Sequence, residues 1–270
     1  LPSMTATPRR LGLCLRHSLL AAGMFAVACS SARLYYVDTE LPTILEGRRR
    51  LVVGLGPWPN VPAVLASMDS VPDDLVLPTL KALMDLPGAD SCDAGGRPLP
   101  HASEYCVAVY RTPEDWRVTW PIRKVMEAHS SCVPPFGGVE DADFGRGLPV
   151  FGYAHNHTCG LFASSRDLGN FPTMKVPSGA WVVVGYGTTP SGEAALDSIG
   201  ERIPAWAWLA TGPRHAPRFY KWNPEGEVFK WSEDKKQWEF QAVCKPQWSG
   251  GINRGKALPP KCSPELIDWY

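Results

Sequence analysis

His155-Asn156-His157, followed by Ser164 and Asp167, brings three good metal ligands into one short stretch of chain. On a β-strand, residues i and i+2 project from the same face, so His155 and His157 can reach one ion. Asp167, ten residues further on, can supply a carboxylate as the third ligand. Three protein ligands with a fourth position open to water make the catalytic type of zinc site, whereas a structural site closes all four positions with protein. Two neutral imidazoles and one carboxylate leave the ion with net positive charge. That charge lowers the pKa of bound water to about 7 and makes hydroxide available at neutral pH.

Such chemistry also needs a base. Glu104, Glu114, Glu127 and Glu140 all lie upstream; Glu104 is preferred because it opens Glu104-Tyr105-Cys106-Val107-Ala108-Val109-Tyr110, a run with the composition of a strand. There it could take a proton from water and pass it to a leaving amine. Ser164, three residues before Asp167, shares a helical face with it and could donate to an oxyanion. His101 and His129 read as exposed or core-satisfied rather than as ligands.

The elements that must position these groups follow from periodicity. Leu75, Leu77, Leu80, Leu83 and Met84 recur at helical spacing between Asp73 and Leu86, with Pro87-Gly88 as the stop and Pro78 as a possible later start. Trp116 to Ala128 is ambiguous, and Pro134 to Gly147 reads as a loop rich in glycine and acid. Val150-Phe151-Gly152-Tyr153-Ala154 is a compact apolar strand that delivers the histidines at its end. Trp181 to Tyr186, Ala205 to Ala210, Arg218 to Trp222, Glu227 to Trp231 and Gln237 to Val243 read as further strands, with Asn223-Pro224-Glu225-Gly226 as a turn. A helix followed by a largely antiparallel sheet gives an α+β class.

The first residues read as an address. Arg9, Arg10 and Arg16 precede an apolar run from Ser18 to Ala28, and Ala26-Val27-Ala28 ends before Cys29. The run is too short for a spanning helix of about 20 residues. It resembles a bacterial lipoprotein signal over residues 1–28, which implies lipidation of Cys29 and an outer-membrane anchor facing the periplasm or the surface. The residues after it divide into an irregular lead-in (29–72), the main domain (73–245) and a C-terminal tail (246–270). Lysine plus arginine equals aspartate plus glutamate at 27 each, and loss of the signal removes basic residues only, which argues against nucleic acid as a partner. Cys92, Cys106, Cys132, Cys159, Cys244 and Cys262 remain, an even set suited to disulfides in an oxidising compartment. Cys244 with Cys262 would staple the tail, and Cys159 either pairs or reaches the ion as a thiolate.

Glu104, His155-Asn156-His157 and Ser164-Ser165-Arg166-Asp167 together resemble the signature of the JAMM (JAB, MPN-type) metallopeptidases, over about residues 73–190. Bacterial domains similar to this family also begin their first core strand with Glu-Tyr, as Glu104-Tyr105 does. The resemblance implies a cytidine-deaminase-like sheet flanked by helices, with extra C-terminal strands. It also implies zinc on His155, His157 and Asp167, with Glu104 and Ser164 catalytic. Six residues, Thr158 to Ala163, separate His157 from Ser164 where the family has seven, and Thr158 stands where it often has proline. Taking Ser165 as the serine would restore seven but leave only Arg166 before Asp167.

The expected function is zinc-dependent hydrolysis of an amide or isopeptide bond, in a peptide or peptidoglycan-type substrate of the envelope. The alternative is a catalytically silent binding or structural lipoprotein. A His-Asn-His nuclease fails, because those enzymes space their motif residues far apart.

Overall fold

In the computed structural model the β-branched and aromatic runs pair into a mixed sheet of eleven strands, with few and short helices. The structure describes residues 69–124, 138–160, 162–175, 177–250 and 255–266, together with Cys132 and short pieces between residues 34 and 65. The signal segment and Cys29 lie outside the described residues.

Helix α1 spans Asp73–Met84, with Asp73 and Asp74 in its first turn and Lys81 in its last, as the helix dipole favours. Pro78 sits inside the helix rather than starting it. The bond it cannot make would go to the carbonyl of Asp74, an exposed residue where water can substitute. Leu75, Val76, Leu80, Leu83 and Met84 are buried from this helix.

The strands that matter for the site are β1 (Cys106–Arg111), β2 (Asp115–Val118), β3 (Ile122–Lys124), β4 (Val150–Asn156), β5 (Trp206–Thr211), β6 (Arg218–Trp222), β7 (Glu227–Ser232), β8 (Gln237–Trp248) and β9 (Ala257–Ser263). Their order is β3-β1-β4-β5-β6-β7-β8-β9, with Leu34–Tyr36 beside β3, and β2 on β1. Every pair in this sheet is antiparallel except β4 with β5, which run parallel. A parallel pair needs a long crossover. Here it carries a one-turn helix, α2 (Ser165–Leu168), and a hairpin of Thr173–Lys175 with Trp181–Val183.

Period-2 alternation, shifted on β4 by an irregularity between Val150 and Gly152, divides the core between the two faces. Val107, Val109, Phe151, Ala154 and Trp208 pack under α1, while Cys106, Ala108, Tyr110, Tyr153, Leu209, Tyr220 and Trp222 form the opposite core with Leu168 of α2. Every residue of β4 is buried, so this strand has no solvent face. Gly152 has φ 144°, and a side chain there would collide with the Trp206 carbonyl, so the close β4–β5 approach requires glycine.

Three segments differ from the sequence reading. Trp181–Val183 is a strand, but it belongs to the peripheral hairpin, and Val183 is 53% exposed. The segment read as an acidic loop contains two short paired strands, Val139–Asp141 and Gly145–Arg146. The boundary at 245 falls inside β8, which runs on to Trp248, and Ala257–Ser263 (β9) pairs with it, so the sheet continues past that boundary.

Candidate metal centre

His155 lies near the end of the pairing of β4 with β5 and His157 just past the end of β4, at the carboxyl end of the parallel pair, a common ligand position in sheets of this kind. His155 stands opposite Cys106 on one side and Leu209 on the other, facing the α2 core. His157 extends the ladder, its N–H donating to the Ala210 carbonyl at 2.8 Å.

Glu104 is buried two residues before β1 rather than inside it. It is nonetheless carried to β4, because the Asn156 N–H donates to the Tyr105 carbonyl at 3.3 Å. Asn156 completes the placement from the opposite face. Its Oδ1 accepts the Tyr105 N–H at 2.8 Å, and its Nδ2 donates to the carbonyls of Ala89 and Ser103, each at 3.1 Å. A fully buried amide with three bonds fixes the chain leading into Glu104.

Both imidazoles are oriented through Nδ1. That atom contacts the Trp208 carbonyl at 2.9 Å in His155 and the Phe162 carbonyl at 3.0 Å in His157. A carbonyl only accepts, so each Nδ1 carries a proton, which leaves each Nε2 as the ring nitrogen able to ligate an ion. Tyr153 stacks on His155 at 5.1 Å, and Trp222 meets it edge-on at 5.8 Å. His155 Nε2 is buried without a hydrogen-bond partner. Burial, with repulsion from His157, pushes the His155 pKa down to about 3, which keeps the ring neutral.

His157 Nε2 is the hub, 2.8 Å from Glu104 Oε1 and 3.4 Å from Asp167 Oδ2. Burial opposes its charge, but the two carboxylates outweigh burial and hold its pKa well above the usual histidine range. The Glu104 carboxyl is pushed up by burial, against the pull of His157 and the N–H of Cys132. Asp167 is held well below the usual carboxylate range, because His157 and Ser164 overcome its burial.

Ser164 is the N-cap of α2. Its N–H and Oγ donate to Asp167 Oδ2 at 2.7 and 2.6 Å, and Oγ accepts the Asp167 N–H at 3.3 Å, a capping box. The Tyr153 hydroxyl donates to the Asp167 carbonyl at 3.2 Å. The structure thus gathers Glu104, Ser164, His155, His157 and Asp167 at one place. Within it, the ligand atoms of Glu104, His155 and His157 lie within 4.8 Å of one another, a group able to hold a metal ion, and Asp167 stands beside that group. The orphaned Nε2 of His155 and the shared Nδ1 anchoring fit such an ion.

Six cysteines pair at bonding distance. Cys92 with Cys159, Cys106 with Cys132, and Cys244 with Cys262 have Cα separations of 5.5, 5.7 and 4.0 Å. Cys159 therefore pairs instead of ligating. Sequence reasoning missed Asn156, whose place between two histidines already put it on the other face. It also missed Cys132, Phe162 and Trp222, which only the tertiary fold brings near.

His157 has acceptors at both ring nitrogens, an arrangement that favours its protonated form. An ion on Nε2 must displace the proton there. Calorimetry in buffers of different ionisation enthalpy should show about one proton released per ion bound near pH 7, with affinity falling about tenfold per unit as pH drops. Proton-independent binding would contradict this protonation state.

Compared with known proteins, the chain matches no family, no curated protein and no solved structure.

Proposed function

We propose that this protein is a zinc-dependent hydrolase of an amide or isopeptide bond, built on a JAMM-like domain and acting on a peptide or cell-wall substrate in the bacterial envelope. One observation carries the reading: His155 and His157, pinned through Nδ1, bring their ligand atoms and a Glu104 carboxylate oxygen within 4.8 Å of one another. The order of α1, a glutamate leading into β1, β4 ending in two histidines, and Ser-x-x-Asp opening α2 is the order the family resemblance implies.

His155, His157 and Asp167 would hold the ion, which when bound supplies a Lewis acid for a carbonyl and hydroxide near neutral pH. Glu104 accepts the proton of the attacking water and returns it to the leaving amine. Its carboxylate is buried beside His157 Nε2, within reach of an atom held there. Burial excludes bulk water and strengthens each of these interactions. Three cysteine pairs suit an oxidising compartment, and an anchor at Cys29 would place the enzyme there through its lipid alone.

Ser164 favours a second reading. Its hydroxyl donates to Asp167, so an oxyanion would have to compete for that donor. A site that holds metal without turnover would keep this arrangement.

Purification without chelator should give about one zinc per chain, with cleavage of cross-linked muropeptides or model peptides that chelation abolishes and zinc restores. Stoichiometric zinc without cleavage selects the silent reading. No zinc at all sinks the hydrolase.

A further inference from the structure

We infer that the Cys92–Cys159 disulfide is a positioning element of this site, a covalent clamp on His157 that makes metal retention depend on the oxidation state of the chain. The inference rests on the metal-site reading above. The turn Thr158–Gly160 follows His157 directly, and it must bring the Phe162 carbonyl back to His157 Nδ1. That acceptor is what fixes the ring. The path of the turn is therefore the path of the ligand.

Two things hold the turn. Arg218 Nη2 donates to the Gly160 carbonyl at 3.0 Å, and Cys159 is bonded to Cys92, 67 positions away in sequence. Cys159 also has φ 64° and ψ 26°, a left-handed conformation that a residue with a side chain adopts only when its surroundings impose it. Freed from Cys92, the residue can relax to a right-handed or extended backbone, which moves Phe162 and turns Nε2 away from Glu104.

The three cystines differ in access. Each of the other two joins an essentially buried cysteine, Cys106 or Cys244, to a half-buried one, Cys132 or Cys262, whereas Cys92 and Cys159 are both half-buried. A soluble dithiol therefore meets Cys92–Cys159 most readily. Its thiolate attacks one sulfur to form a mixed disulfide, and its second thiol closes the reagent's own disulfide. Two electrons and two protons pass to Cys92 and Cys159, which leave as thiols.

The test measures affinity for zinc alone, by competition with a chromophoric chelator, on the full chain in three forms. These are the oxidised protein, the protein mildly reduced with a phosphine and alkylated, and Cys92→Ala/Cys159→Ala. Mass spectrometry must show alkylation only at Cys92 and Cys159. The reduced form and the variant should bind zinc roughly 10- to 100-fold more weakly, the range seen when groups that orient ligands are lost. Affinity within about twofold of the oxidised protein, or a change confined to Tm, would overturn the inference and leave the metal site standing. Failure of the oxidised protein to bind zinc overturns both. If the variant does not fold, the reduced and alkylated native chain decides alone.

Discussion

His157→Ala should abolish stoichiometric metal retention and lower stability together. Its Nε2 is the atom that faces both Glu104 and Asp167, so no other side chain can take its place between them. Loss of groups that merely orient a ligand weakens metal sites by about 10- to 100-fold, so loss of the ligand itself should raise Kd by roughly 100-fold or more. The metal-free protein should suffer as well. Removing the imidazolium leaves two buried carboxylates facing each other, and breaking a buried pair in this way costs about 3–5 kcal/mol. Glu104, whose pKa is already raised, can take up a proton, so the expected loss lies near the lower end, about 3 kcal/mol. Denaturant unfolding and zinc titration on one sample check both halves. A variant that binds zinc normally would remove His157 from the ligand set.

Glu104→Gln and Asp167→Asn should then separate base from ligand. The amide introduced by Glu104→Gln fills the same space but cannot shuttle a proton, so turnover should fall by about 10²- to 10⁴-fold with zinc still bound. Asp167→Asn should lose the zinc. The Asp167 carboxylate stays ionised and is gripped by Ser164 through two short bonds, the rigidity a ligand needs. The opposite pattern is a real alternative, because Glu104 rather than Asp167 shares the mutual 4.8 Å group with the histidines. Zinc lost on Glu104→Gln and kept on Asp167→Asn would make Glu104 the third ligand. Metal analysis with turnover on both variants decides it.

What could be read from the sequence was local. The parity of His155 and His157 on one strand, the three-residue step from Ser164 to Asp167, and the apolar strand before them required only the period of the chain. The step proved to be a capping box, which a Ser-x-x-acid pattern allows. Cys244 with Cys262 was read as a staple of the tail, and the fold sets the two opposite each other in the β8–β9 hairpin. The other pairings were not legible, since bonds across 67 and 26 positions depend on the fold. The run from Trp181 was read as a strand and is one as far as Val183, though its β-branched composition did not specify how exposed it would be. Pro246 hid the continuation of β8. A proline without an N–H reads as a break, but a register shift between Lys245 and Gln247 accommodates it.

One contact sets the order in which the site can come into being. Helix α2 is a single turn, far too short to persist alone. Ser165 Oγ accepts the Gln247 N–H at 2.8 Å, across 82 positions, and the β8–β9 hairpin packs against the turn. A chain synthesised from its N-terminus thus carries all five candidate residues long before it carries the segment that seats Asp167. Until the β8–β9 hairpin has formed, the turn that carries Asp167 lacks this support.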